Sequence, residues 1–330
     1  MFIVNDYAVA VLFCIVTMLC WGSWANTSKI STEKWPFTLF YWDYSLGLII
    51  MAVLYGLTMG SAGMQGRGFF ADLQQADSGS LLSAFAGGIV FNLSNLILVA
   101  AITISGLSVA FPVGVGLALV IGVIVNYLKQ PTGNAGLLAA GVLLVVVAMI
   151  VNARASARLS KSQGKTSTKG ILLSIVAGVV MGFFYRFVAD GMATSFTHPE
   201  PGKLTPYSAV LVFSVGVFLS SFLWNTFFMY RPVDGRGARY GEYFTHGTLR
   251  QHLIGLLGGL IFNTGFLFNL LASEKAGPAI SYGLGQGSTM IGAAWGVFVF
   301  RELKGAPASA IAIMFITFIV GLALIVIARL

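Results

Sequence analysis

The sequence predicts an all-α integral membrane protein of ten transmembrane helices, built as two inverted five-helix repeats. Three observations predict it. First, the 330 residues are 57% hydrophobic and 9% charged, with a mean hydropathy of +0.87; soluble domains carry about 25% charged residues. In lipid every backbone polar group must be satisfied internally, which leaves helices or closed barrels. Second, the apolar segments are apolar all round for about 20 residues and do not alternate, which selects helices over barrel strands. Third, the chain repeats itself at about half its length.

The repeated stretch is 87–116, matched without a gap by 258–287 at an offset of 171 residues. Gly87/Gly258, Gly88/Gly259, Phe91/Phe262, Asn92/Asn263, Leu96/Leu267, Ala101/Ala272, Gly106/Gly277, Gly114/Gly285 and Gly116/Gly287 are identical pairs. Each copy reads as a helix hairpin. A single repeat of this length means two related halves, since solenoid periods are far shorter. In a membrane protein such halves point to a transporter with its site at their interface. Glycine-rich convergence is the plain alternative, because Gly is common in membrane helices.

Ten spans follow, near 7–28, 37–60, 80–101, 107–128, 133–153, 170–194, 206–229, 251–272, 278–300 and 306–328. Each is long enough to cross about 30 Å of hydrocarbon. The first half is 1–153 and the second 170–330, joined by a basic linker, 154–169. The first span does not read as a cleaved signal peptide, since it lacks a basic start and a small-residue cleavage site. Alternate loops differ in Lys and Arg: thirteen on the side of the linker against five on the other. The richer side is expected to be cytoplasmic, which puts both termini outside the plasma (inner) membrane. Five spans per half is odd, so the halves are expected in opposite orientations.

Trp21, Trp24, Trp35, Tyr41 and Trp42 gather near the first hairpin turn, where aromatic belts form at headgroup level. The loops 61–79 and 230–250 carry Gly and mixed charge without a catalytic pattern. Cys14 and Cys20 lie on opposing faces of one helix and read as small buried residues. The net charge of +8 sits in membrane-flanking loops, so topology accounts for it without nucleic acid. His198, His246 and His252 fall in or beside loops, with no carboxylate or Cys at metal-ligand spacing. No nucleophile elbow or paired-carboxylate motif exists, and no enzyme activity, cofactor or metal is expected.

Asp43 is the leading candidate for chemistry. It lies about two turns into the second span, flanked by Tyr41, Trp42 and Tyr44. A carboxylate inside a membrane is costly and usually functional, and a partly desolvated one is able to carry a proton. The three aromatic rings offer a stacking surface for a flat polar ligand. The competing reading is a wet interfacial residue, ~10 Å from the membrane face. Arg186 and Asp190 are four apart in the sixth span and share a face. They read either as a substrate fork with its holder or as a pair snorkelling to the outer surface. Asn92 and Asn263 read as cavity-facing amides or as interhelical glue. Asn26 is a loose first-half counterpart of Arg186. Gln286, Asn95, Asn126 and Asn269 are weaker candidates. Glycines of the fourth and ninth spans allow close helix approach, and Pro112 and Pro278 allow local breaks.

The layout and several short motifs resemble the drug/metabolite transporter superfamily, and within it the ureide permease family. Tyr41, Asp43, Tyr44 and Ser45 are similar to that family's Tyr-x-Asp-Tyr-Ser segment. The run 225–232, NTFFMYRP, is similar to the end of its seventh helix, and 296–302, GVFVFRE, to the end of its ninth. The linker of about 16 residues departs from the long cytosolic loop of plant members, and Arg186 has no family counterpart. The resemblance implies proton-coupled uptake of a small neutral polar solute, such as allantoin or a nucleobase, by alternating access. Asp43 is the one position it transfers. A sugar porter of the glucose/ribose or rhamnose type shares this plan, and a multidrug exporter is a more distant alternative. Expected partners are the solute, protons or another coupling ion, the bilayer and a possible second copy of the chain.

Overall fold

The computed structural model describes residues 1–31, 35–105, 107–159, 167–233, 235–301 and 307–330. Glu302, Lys304 and the centre of the linker, with Lys161 and Lys165, lie outside the described residues. The elements in order are α1 (Tyr7–Ser31), α2 (Phe37–Leu57), α3 (Phe69–Gln75), α4 (Ser78–Ser105), α5 (Leu107–Lys129), α6 (Ala135–Leu159) and α7 (Thr168–Gly191). There follow α8 (Pro206–Ser221), α9 (Trp224–Tyr230), α10 (Tyr240–Thr245), α11 (Leu249–Ala276), α12 (Pro278–Gly285), α13 (Ser288–Ala294), a π-turn (Trp295–Val299) and α14 (Ala308–Ile327). Nine helices among the described residues are long and apolar enough to cross a membrane, with α8 and α9 forming one of them, Pro206–Tyr230.

The expected ninth span, 278–300, is the difference. It is not one helix but α12, α13 and the π-turn in series. The cause is local: Gly283, Gly285 and Gly287 put three weak helix formers in five residues. At the break the bonds tighten, with Gly287 N donating to Leu284 O at 2.8 Å and Thr289 N to Gln286 O at 3.2 Å.

The interior holds the same contacts twice. α4 packs on α7 and α8, while α11 packs on α1 and α2. α5 packs on α7, while α12 and α13 pack on α1. α4 and α11 themselves are offset by 171 residues at both ends. Two of the close helix approaches bring glycines face to face, Gly88 with Gly216 and Gly47 with Gly259. A Cβ on Gly88 would lie 2.2 Å from Phe213 O, and one on Gly259 would lie 2.1 Å from Tyr44 O. Their partners match too: a Cβ on Gly216 meets Phe85 O at 2.4 Å, and one on Gly47 meets Leu256 O at 2.3 Å.

Connections sort into two ends. At one, Phe2 N donates to Met59 O (2.8 Å), Asn134 N to Ala328 O (2.6 Å) and Phe196 N to Glu274 Oε2 (3.1 Å). At the other, Asn225 Nδ2 donates to Thr38 O (2.8 Å) and Ser105 Oγ to Ser167 O (3.3 Å). The expected aromatic belt near the first turn is largely core instead. Trp35 and Tyr41 are fully buried, and Trp21 and Trp42 nearly so, because the rings fill the space between α1, α2, α9 and α11.

Candidate functional site

Asp43 is buried, with its side chain 3% exposed. Its own side chain is thus shut off from water, while its partner His252 is 24% exposed. Thr248 caps α11 and forms a capping box with Gln251, which fixes where the helix starts. His252 and Gly255 then sit three apart, on one face. Gly255 leaves room for the carboxylate, since a Cβ there would lie 2.5 Å from Asp43 Cβ. His252 Nδ1 lies 2.8 Å from Asp43 Oδ2. The short helix α10 contributes the third member, Tyr243, whose hydroxyl donates to Asp43 Oδ1. Trp35 closes the cluster, edge-on to His252 at 5.4 Å between ring centres, and Tyr243 meets His252 at 4.6 Å. Burial pushes the Tyr243 phenol well above its usual range, and the Asp43 carboxylate it bonds pushes it further.

The neighbours expected around Asp43 point elsewhere, because consecutive helix positions are about 100° apart. Trp42 Nε1 reaches Met229 Sδ at 3.3 Å. Tyr41 accepts from Asn95 Nδ2 at 3.2 Å. Tyr44 packs against Trp24, 4.8 Å away, and its buried hydroxyl has no protein partner. Tyr41, Tyr44, Trp24 and Asn95 thus form a second polar-aromatic group behind the carboxylate, bordered by Phe262 at 6.0 Å from Tyr44. A cavity of about 150 Å³ opens beside it between α2, α4 and α9, lined among others by Phe37, Leu96, Val99, Met229 and Arg236. Phe37 lies 5.4 Å from the Tyr41 ring.

The repeated amides lie between helices. Asn92 Nδ2 donates to Val217 O at 3.0 Å, and Asn263 Nδ2 to Leu48 O at 2.6 Å. Both are fully buried, and in both the amide oxygen lacks a protein partner. Phe91 and Phe262, one residue before each, pack 4.9 Å apart. Arg186 bonds Asp190, with its Nε 2.9 Å from Oδ2, while Lys203 Nζ donates to Asp190 O at 2.8 Å. Asp190 is 41% exposed and Arg186 14%, and the bond from Lys203 of the 192–205 loop puts the pair at the end opposite Asp43. Asn26 has a buried, unpartnered Nδ2, and Gln286 is buried at the break after α12. The structure therefore does not gather the sequence-predicted residues into one site.

Sequence reasoning missed His252, Tyr243 and Trp35. In the sequence His252 is a loop-edge histidine with no carboxylate at ligand spacing; its carboxylate stands 209 positions earlier. It also missed a clamp at the opposite end. There Arg67 bonds Asp72 at 3.0 Å and donates to Lys203 O, Pro199 O and Glu200 O. Asp72 is fully buried and also accepts from Thr205 N at 2.8 Å and Thr205 Oγ1 at 3.0 Å.

Lipid-length helices that bury polar side chains between them define the class as a polytopic helical membrane protein. The chain belongs to the ureide permease family, whose model matches residues 40–163 and 152–328. It is a transporter and not an enzyme. It is 24% identical to "Ureide permease 1" of Arabidopsis thaliana over 92% of each chain. It is 23% identical to "Ureide permease 5" of the same plant, over 92% of this chain and 89% of that one. A solved crystal structure superimposes on 98% of this chain and 99% of its own with a TM-score of 0.64. At 15% identity that likeness shows the fold alone.

Proposed function

We infer that this protein takes up a small, neutral, polar solute of the ureide or nucleobase class by alternating access, coupled to protons. The observation that carries the reading is Asp43, a carboxylate buried within a spanning helix and held by an imidazole and a phenol. The names of the relatives support the ureide class. The doubled contacts of α4 and α11 support two inverted five-segment halves, with 278–299 counted as the tenth segment. Such halves are the usual frame for alternating access.

The solute is proposed to lie against Trp24, Tyr41, Tyr44 and Asn95, entering by the neighbouring cavity. An unpaired buried hydroxyl costs about 1–3 kcal/mol, and a solute carbonyl or N–H at Tyr44 would recover it. Arg186, Asp190, Asn92, Asn263, Asn26 and Gln286 act on the walls and ends of that path. The plasma membrane, extracytoplasmic termini and a cytoplasmic linker complete the proposal.

The test is uptake into proteoliposomes of labelled allantoin, uracil and glucose, with and without an inward proton gradient. Gradient-stimulated accumulation of allantoin or uracil, lost in Asp43→Asn, is the expected result. Full accumulation by Asp43→Asn would sink proton coupling through this residue. Accumulation of glucose alone would move the protein to the sugar porters.

A further inference from the structure

We propose that His252 is the port through which Asp43 exchanges its proton with water at the 231–248 end of the molecule. The proposal rests on the reading of Asp43 as the proton carrier. It stands on geometry. The Asp43 side chain is 3% exposed, so it has almost no direct access to water. Its two oxygens face different groups: Tyr243 on Oδ1 and His252 on Oδ2. Among the described residues these are the two ionisable groups that bond it, one from α10 and one from α11.

The two partners are not equivalent. Tyr243 holds its proton far beyond neutral pH, so it donates a hydrogen bond without delivering the proton. Histidine is the side-chain type that gains and loses protons near neutrality through two distinct nitrogens. His252 is 24% exposed, so the side chain that contacts the buried oxygen also reaches the surface. Its far nitrogen, Nε2, faces Gly247; a Cβ there would lie 2.3 Å from Nε2. The missing side chain leaves that nitrogen its space. Trp35 and Tyr243 hold the ring edge-on, which fixes Nδ1 on the carboxylate.

The step balances. A proton from water forms an N–H bond at Nε2, giving an imidazolium. The Nδ1–H bond breaks as an O–H bond forms at Asp43 Oδ2. The outcome is a neutral carboxylic acid and a neutral imidazole of the other tautomer, with one proton gained overall. Release runs in reverse.

The experiment uses the full-length protein in proteoliposomes and measures two quantities with labelled allantoin or uracil: gradient-driven uptake and counterflow, which needs no net proton movement. His252→Gln keeps a hydrogen bond to Asp43 but cannot relay. The ratio of gradient-driven uptake to counterflow is expected to fall about tenfold or more, a conservative share of what a positioned acid–base group contributes. The pH dependence of that ratio should flatten, and added imidazole should restore His252→Ala. A ratio that falls without imidazole rescue and with an unchanged pH profile would make His252 merely structural and overturn the proposal. A wild-type ratio in His252→Gln beside a lost ratio in Asp43→Asn would overturn the port and leave Asp43 as carrier. Wild-type ratios in both would remove the carrier itself. Should His252→Gln not yield a monodisperse protein, His252→Asn, whose amide likewise cannot relay a proton, gives the same readout.

Discussion

Asp43 is tolerated inside α2 because both its oxygens are occupied and the helix facing it omits a side chain at Gly255. Tyr243→Phe removes one of those bonds and leaves an oxygen unpaired. Hydrogen bonds to charged groups contribute about 1.5–3 kcal/mol, so a loss of that size is expected in detergent thermal unfolding. Asn92→Ala and Asn263→Ala each remove an amide that bonds more than one group on the facing helices. Bonds of this kind average about 0.6 kcal/mol, and the two losses should be similar in unfolding assays. At this scale the sequence was legible only in part. A lone carboxylate in an apolar run announces itself. Its partners do not, because His252 and Tyr243 come from α11 and α10, and nothing in the run around Asp43 encodes which loop folds back onto it. Tyr41, Trp42 and Tyr44 flank it in the sequence and point elsewhere for the converse reason, since adjacency along a helix is divergence around it.

Helices in this molecule meet where side chains are absent. Gly259→Ala would drive a methyl group to 2.1 Å from Tyr44 O, and overpacking costs about 1–3 kcal/mol. Gly116→Ala, whose Cβ would find nothing within 4 Å, should stabilise by up to about 1 kcal/mol through helix propensity; comparing the two melting temperatures separates packing from that propensity. The clamp behaves differently. Arg67→Ala would take the cation from the buried Asp72 carboxylate and leave it its bonds from Thr205, at a cost of about 1.5–3 kcal/mol, read as faster proteolysis of the 192–205 loop. That loop also carries a pH signature. Burial works to raise the Glu200 carboxyl, but hydrogen bonds from the Thr194 side chain and backbone outweigh it, so it titrates below the usual range. A depressed carboxylate stabilises the fold above its ordinary pKa and ceases to as pH falls through the lowered value. Protease resistance of the loop should therefore hold at neutral pH and decline below the ordinary glutamate range. A rise in resistance on acidification would contradict the assignment.

Across the whole molecule, the bilayer sets most of what could be read in advance. Long apolar runs gave the spans, and the 171-residue offset gave the pairing of α4 with α11. Composition could not give the interruption in 278–299, because glycine serves both close packing and breaking, and only the surroundings decide. The proposed orientation has its own test. In a background without native cysteines, Ser61→Cys and Gly235→Cys should react with an impermeant thiol reagent from opposite sides of the membrane, Ser61→Cys from outside.

The segments that follow α4 and α11 differ in one respect. α5 runs unbroken through Pro112, while its counterpart is cut after Gly285 and loosened again at Trp295–Val299. Helical bonding thus runs continuously through one segment and is interrupted twice in the other, a single joint in the frame. A chimera made by duplicating the first half would reproduce the glycine contacts and lose that joint.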